Sequence, residues 1–218
     1  MSAPAATERA EPSPFRDPRF RVFAAGNVVN NVGEAVYATV LPLLAYDLTG
    51  SLAVMSLLAA AVPVSLLLAP WLGSAADRWG PRVLVVPGLL VQAAAGLAMN
   101  LCLVAGRAPV WLFFGCALLV AVGGAAYRTG WMAGTPAMFP RSPVRARGTL
   151  NSLFFATTLA GPLLTAGCLP LIGYTGLLWI NLATFFAPIV VWALGVHPER
   201  RTAAKTAQGG GPGGWKLS

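Results

Sequence analysis

The sequence predicts an all-α membrane protein with six transmembrane helices. Of its 218 residues, 56% are hydrophobic and 10% are charged, and the mean hydropathy is +0.68, which is too apolar for an ordinary soluble domain. A helix rises about 1.5 Å per residue, so about 20 apolar residues cross roughly 30 Å of hydrocarbon. Six runs meet this length: residues 20–44, 51–72, 83–104, 109–126, 150–172 and 177–196.

These runs divide the chain into three parts. Residues 20–196 are predicted to form the helix bundle, and residues 1–19 and 197–218 are predicted to be disordered cytoplasmic tails. The first 19 residues hold three acidic residues and no apolar core, so we do not expect them to be a cleavable signal peptide. The last segment contains the glycine-rich stretch 208–214 and little apolar content.

The basic residues predict the orientation. Short cytoplasmic loops retain lysine and arginine, and 14 of the 15 basic residues fall on one side of the predicted helices, with only Arg107 on the other. We therefore expect both termini in the cytoplasm. Arginine outnumbers lysine 13 to 2, and alanine, glycine and proline are abundant, which is typical of a GC-rich bacterial genome. The expected location is the lipid bilayer of a bacterial inner membrane.

Several classes of function are disfavoured. The net charge of +8 is scattered singly between apolar runs, so nucleic acid is not an expected partner. The cysteines, Cys102, Cys116 and Cys168, lie in apolar runs without ligand spacing, so no metal site is expected. The sequence has no H-E-x-x-H, G-x-S-x-G or G-x-x-x-x-G-K-[ST] pattern. We therefore expect neither an enzyme nor a bound cofactor.

The segment between the second and third runs carries a compact pattern, GSAADRWGPR over residues 73–82. Gly73 is expected to let the second helix approach a neighbour closely, and Gly80 to adopt a turn conformation that a side chain would resist. Pro81 suits the first turn of the third helix, and Asp77 lies near enough to favour the positive end of that helix. The simplest interpretation of this pattern is a short basic turn.

The same segment matches the loop motif G-x-x-x-D-[RK]-x-G-x-[RK] of the major facilitator superfamily, and residues 20–196 resemble the N-terminal half of such a transporter. The resemblance implies a six-helix half bundle. It also implies a gating role for the charged residues of the motif, Asp77, Arg78 and Arg82, which would hold the two halves of the transporter together in one of its access states. Gly73 and Gly80 are the glycines of the same motif. Residues 20–44 and 140–151 resemble the branch of enterobactin exporters and macrolide efflux proteins, which suggests export.

The fifth predicted helix is similar to part of the antiporter motif of drug exporters, G-x8-G-x3-G-P-x2-G-G. Gly148, Gly161 and Pro162 match it, whereas Thr157 stands in place of the second glycine and residues 165–166 are not glycines. The alternative is a proline kink beside small residues that let helices pack.

Glu34 is predicted at membrane depth, about 14 residues into the first run, where an ionisable group is costly and by default functional. Asn27, Asn30 and Asn31 precede it at helical spacing, and we expect this polar stripe to face a central cavity. There the carboxylate can bind and release a proton in each cycle, or attract a cationic substrate. The alternative is a structural contact that fastens the first helix to a neighbour.

The function predicted from these features is transport of a small molecule, as ion-coupled efflux. Arg128 and His197 are expected to be interfacial residues, with the Arg128 side chain extending toward the headgroups. In the superfamily that the chain resembles, substrate is held between two six-helix halves. A second six-helix bundle, from a homodimer or a C-terminal half, is therefore the expected partner. The alternative is a non-transporting remnant or an interaction partner of another membrane protein.

Overall fold

Helices make up nearly all of the described chain. The computed structural model describes residues 11–106 and 109–197, so most of the two predicted tails, residues 1–10 and 198–218, lies outside the described residues. Within the described residues there is no β-strand. After a short 3-10 helix at Pro14–Arg16, the α-helices are α1 (Pro18–Thr49), α2 (Leu52–Ala59), α3 (Ala61–Leu66), α4 (Ala69–Trp79), α5 (Arg82–Val104), α6 (Val110–Met138), α7 (Pro143–Thr184) and α8 (Phe186–Ala193).

Five stretches of the described residues are long and apolar enough to cross a membrane, and the last of them, Pro143–Ala193, has 51 residues. A straight helix of that length would measure about 75 Å, more than twice the thickness of the hydrocarbon layer. The stretch is divided at Gly173, whose φ of 67° and ψ of 177° are not helical and suit only glycine. The described residues therefore hold six helical segments long enough to cross a membrane, which confirms the predicted all-α membrane bundle.

The six spans follow the order of the helices. The first span is α1, the second comprises α2 to α4, the third is α5 and the fourth is α6. The fifth is the part of α7 before Gly173, and the sixth is the remainder of α7 together with α8.

Prolines interrupt the second span. A proline has no N–H to donate, and its ring crowds the carbonyl four residues earlier. Pro63 follows Ala59, the last residue of α2, by four positions, and Pro70 follows Leu66, the last residue of α3, by the same interval. Between α3 and α4, two successive N–H groups donate to carbonyls three residues back, each at 3.1 Å. The second span thus consists of three short helices, and a tighter turn joins the last two.

Four helix ends lie beyond the predicted runs. The first span ends at Thr49 rather than 44, the second at Trp79 rather than 72, the fourth at Met138 rather than 126, and the fifth begins at Pro143 rather than 150. Hydropathy marks the part of a helix in hydrocarbon, whereas backbone hydrogen bonding continues the helix into the headgroup region. In α6, Arg128 ends the apolar run but not the helix, because the residues beyond it still pack and Trp131 is buried.

The core divides into two apolar clusters along the bundle. One surrounds the C-terminal half of α1 and includes Val40 and Met99. The other surrounds the start of α1 and includes Phe20 and Trp131. Residues 25–35 of α1 lie between the two clusters, and they carry the predicted polar stripe.

The third and fourth spans touch backbone to backbone. A Cβ placed on Gly88 would stand 2.7 Å from the carbonyl oxygen of Gly123, and a Cβ on Gly123 would stand 2.7 Å from that of Gly88. Real Cβ atoms do not approach backbone so closely, so this contact requires glycine on both helices.

Residues 11–19 are folded against the bundle, which differs from the disorder predicted for this segment. Phe15 packs edge-on against Phe20, with ring centroids 5.3 Å apart. The carboxylate of Glu11 accepts a hydrogen bond from the backbone N–H of Arg145 at 2.9 Å, and the Glu11 carbonyl accepts one from the Arg145 guanidinium. Composition does not reveal these contacts, because they come from single side chains that are distant in sequence.

Candidate functional site: the cleft at Glu34

Glu34 lies in the middle of α1 and links it to the third span. Its Oε1 atom accepts hydrogen bonds from Nδ2 of Asn30 at 2.9 Å and from Nε2 of Gln92 at 3.0 Å. Asn30 is one turn earlier on the same helix, and Gln92 comes from α5. Both amide side chains are fully buried, whereas Glu34 is half-buried. The carboxylate is therefore held from the interior and still reaches the surface of the bundle.

The asparagines of α1 face the interior of the bundle rather than an open cavity. Asn27, Asn30 and Asn31 are 3%, 0% and 6% exposed. Nδ2 of Asn27 donates to the carbonyl of Phe23 at 3.3 Å, and its side chain lines a small enclosed space with Tyr127. This corrects the prediction that the whole stripe lines a cavity: neighbouring helices pack over the asparagines, and only Glu34 reaches the cleft described next.

The cleft beside Glu34 has a volume of about 110 Å³. Its walls come from the first, second, fourth and fifth spans and include Ser65, Gly124, Arg128 and Phe154. A Cβ placed on Gly124 would stand 2.5 Å from Nε2 of Gln92 and 3.4 Å from Oε1 of Glu34, so the glycine leaves room for the bond between these two side chains. The result is a largely apolar opening between four spans, into which Glu34 and Arg128 bring two ionisable side chains.

Arg128 belongs to this cleft and not to the membrane boundary. It lies well inside α6, which continues to Met138, and its Nη2 donates to Oδ1 of Asn151 at 3.2 Å. Its guanidinium carbon lies 3.3 Å from the ring centroid of Phe154, a cation–π contact. The expectation that this side chain extends to the headgroups is therefore wrong. Arg128 and Glu34 line one cleft, and no salt bridge joins them in the described structure.

In the loop pattern at residues 73–82, Asp77, Arg78 and Trp79 are exposed, and the close helix approach predicted for Gly73 is corrected. A Cβ on Gly73 would meet nothing within 4 Å, so this glycine serves no close helix approach within the described bundle. Asp77 lies exposed in the last turn of α4, and α5 begins without a side-chain cap. Gly80 has a φ of 87°, in agreement with the predicted turn. Arg78 lies over the ring of Trp79 at 5.4 Å.

Arg82, the last residue of the pattern, contacts the end of the sixth span. Its Nη2 lies 2.7 Å from Nδ1 of His197, and its guanidinium carbon lies 5.3 Å from the ring centroid of Trp192. The rings of Trp192 and His197 are 4.9 Å apart. Since arginine can only donate, His197 must present an acceptor nitrogen to it. His197 therefore makes a specific contact, which its position alone did not suggest.

The two glycines of the partial antiporter motif have different surroundings. A Cβ on Gly161 would stand 2.7 Å from Cβ of Ala35 and 2.8 Å from the Ala35 carbonyl oxygen, so α7 approaches the backbone of α1 here. A Cβ on Gly148 would meet nothing within 4 Å. Pro162 follows Gly161 within α7, and its side chain is exposed. The packing alternative thus accounts for Gly161 but not for Gly148.

Sequence reasoning missed Gln92 and Asn151, which hold Glu34 and Arg128 in position. Gln92 is a buried amide within an otherwise apolar run. A polar residue inside an apolar run is the same signal that identified Glu34, so it could have identified Gln92 as well. Asn151 stands at the predicted start of a run, where a polar residue is ordinary. Only the packing of α7 against α6 brings it to Arg128.

These observations define a class of protein: a multi-pass helical membrane protein with a cleft between its spans that holds a carboxylate and a guanidinium. The profile of the Major Facilitator Superfamily matches residues 23–217, and the chain belongs to that superfamily. Its members are membrane transporters, so the match supports a role in transport but identifies no narrower branch. No curated protein and no solved structure gave a significant match.

Proposed function

We propose that this bundle is one half of an ion-coupled transporter that exports a small molecule, with Glu34 as the ion-binding group. The observation that carries the proposal is a half-buried carboxylate at mid-span, bonded by two buried amides and open to a cleft. The direction of transport rests on the resemblance of residues 20–44 and 140–151 to exporters. The inner-membrane location and the cytoplasmic termini rest on composition and on the distribution of arginine.

The chemistry of the cleft suits a cycle of ion binding and release. A charged group is costly at membrane depth, and the N–H groups of Asn30 and Gln92 offset part of that cost for the Glu34 carboxylate. A proton that enters through the cleft neutralises the carboxylate and weakens both bonds. Arg128 is positioned by Asn151 and offers a guanidinium to the anionic part of a substrate.

A second six-helix bundle is part of the proposal, because the cleft opens at the surface. Leu66, at its edge, is 60% exposed. If lipid chains covered the cleft, the side chains of Glu34 and Arg128 would face hydrocarbon without water, which is unfavourable for polar groups. A homodimer or a C-terminal half would cover the cleft and enclose the substrate. The loop motif of the superfamily further implies that the exposed Asp77 and Arg78 would contact that second bundle.

The test is gradient-driven flux in membrane vesicles, with Glu34→Gln as the variant and Asp47→Asn as the matched control. Asp47 is the other acid of α1 and is exposed near its end, outside the cleft. Labelled organic cations, anions and neutral compounds are screened under an imposed pH gradient. We expect Glu34→Gln to abolish the gradient dependence of flux, because glutamine keeps the shape but does not titrate, while Asp47→Asn retains it. Unchanged gradient-driven flux in Glu34→Gln would leave Glu34 a structural role only.

A further inference from the structure

A second cleft lies at one end of the bundle, away from Glu34. It measures about 520 Å³ and is formed by residues 12–14 and 16–19, before and at the start of α1, and by residues 138–142, at the end of α6 and before α7. The start of α1, the end of α6 and the start of α7 meet there. Because these are ends of spanning helices, the cleft lies at the level of the lipid headgroups rather than in hydrocarbon.

The cleft is basic. Arg16, Arg19 and Arg141 line it, and all three are exposed. Their guanidinium groups have no hydrogen-bond or ion-pair partner among the described residues. Asp17 is the one acid that the described part of the chain places in the lining, and its Oδ1 accepts a hydrogen bond from the backbone N–H of Arg19 at 2.8 Å, which caps α1. Three positive charges against one negative charge therefore leave a net positive site.

We propose that this cleft binds the phosphate headgroup of an anionic phospholipid. Guanidinium groups bind phosphate oxygens in a bidentate manner, and several arginines around one concave site favour a phosphate over a neutral headgroup. The floor is apolar, with Met138 and Phe139 buried, and it suits the glycerol and the first carbons of a lipid. Phe15, 48% exposed beside the cleft, is an aromatic residue of the kind found at the membrane interface.

A lipid is favoured over free phosphate because of where the cleft lies. The headgroups of one leaflet surround the ends of α1, α6 and α7, so a lipid phosphate is present at high local concentration without leaving the membrane. The attraction of basic residues to an anionic leaflet adds to the specific contacts. This inference does not depend on transport by the Glu34 cleft.

The test compares two triple variants of the full chain in mild detergent. The cleft variant is Arg16→Gln/Arg19→Gln/Arg141→Gln, and the control is Arg21→Gln/Arg78→Gln/Arg147→Gln, which removes three exposed arginines that do not line the cleft. Binding of phosphatidylglycerol, phosphatidylcholine and inorganic phosphate is measured by native mass spectrometry, and thermal unfolding without added lipid checks folding. Single Arg→Gln variants at the three cleft positions are measured alongside.

We expect phosphatidylglycerol to bind the wild type and the control alike and to bind the cleft variant roughly 100-fold more weakly, at about fivefold per arginine. Equal loss in the control variant would mean general charge attraction and would overturn the proposal. Equal binding of phosphatidylcholine to the wild type would overturn it too. Inorganic phosphate that binds the wild type as tightly as phosphatidylglycerol would assign the cleft to a free anion instead of a lipid.

Discussion

Replacement of Gly161 by alanine should destabilise the bundle, because its Cβ would stand within 2.8 Å of the backbone of Ala35. Overpacking a well-packed site costs about 1–3 kcal/mol. Alanine also favours a helix over glycine by about 1 kcal/mol, which obscures the cost in a single variant. Gly148→Ala removes that ambiguity, since Gly148 lies on the same helix and a Cβ there meets nothing within 4 Å.

The difference between the two variants isolates the packing term. Helix propensity is common to both, so Gly161→Ala should be less stable than Gly148→Ala by about 1–3 kcal/mol. For a chain of this size, each kcal/mol shifts Tm by about 2–4 °C, so the two Tm values should differ by about 2–12 °C. The assay is thermal unfolding of both variants in the same detergent, followed by tryptophan fluorescence. Equal Tm values would show that α1 and α7 do not approach each other as closely as described.

Two further predictions concern topology and assembly. Reporter fusions at Arg107 and Ser218 should place the first outside the cell and the second in the cytoplasm, because the basic residues fall on the opposite side from Arg107; an external C-terminus would contradict six crossings. Native mass measurement and crosslinking in mild detergent should find the 22.6 kDa chain as a homodimer or paired with another six-helix protein, since a partner would cover the Glu34 cleft. A stable monomer that transports on its own would refute the pairing.

The sequence predicted the helical architecture well because lipid imposes strict conditions on it. Apolar length defines a span, and glycine marks the points where the chain turns, as Gly80 and Gly173 do with φ values of 87° and 67°. The same reasoning ended the fourth span too early, at residue 126, shortly before Arg128. In a hydropathy pattern, a charged residue marks the end of a span. Arg128 nevertheless stays inside the bundle, because it donates a hydrogen bond to Asn151 and packs on the ring of Phe154.

The site was predicted only in part, for the same physical reason. The charge and depth of Glu34 are properties of a single run, and they are visible without a fold. Its partner Gln92 lies 58 residues away, and the inward direction of Asn27 depends on which helices pack over α1. Side-chain partners across helices are set by tertiary packing, which periodicity within one helix does not report.

The glycine contacts have a mechanical consequence for the Glu34 cleft. The most extensive helix contacts in the described bundle join α1 to α7 and α5 to α6. In each pair a glycine lets the two backbones touch: Gly161 in the first pair and Gly88 in the second. Such close pairs resist sliding, because neighbouring side chains would collide. The hydrogen bond from Gln92 of α5 to Glu34 of α1 links the two helix pairs. Under the proposed function, a proton that binds Glu34 weakens this bond, whereas the glycine contacts within each pair remain.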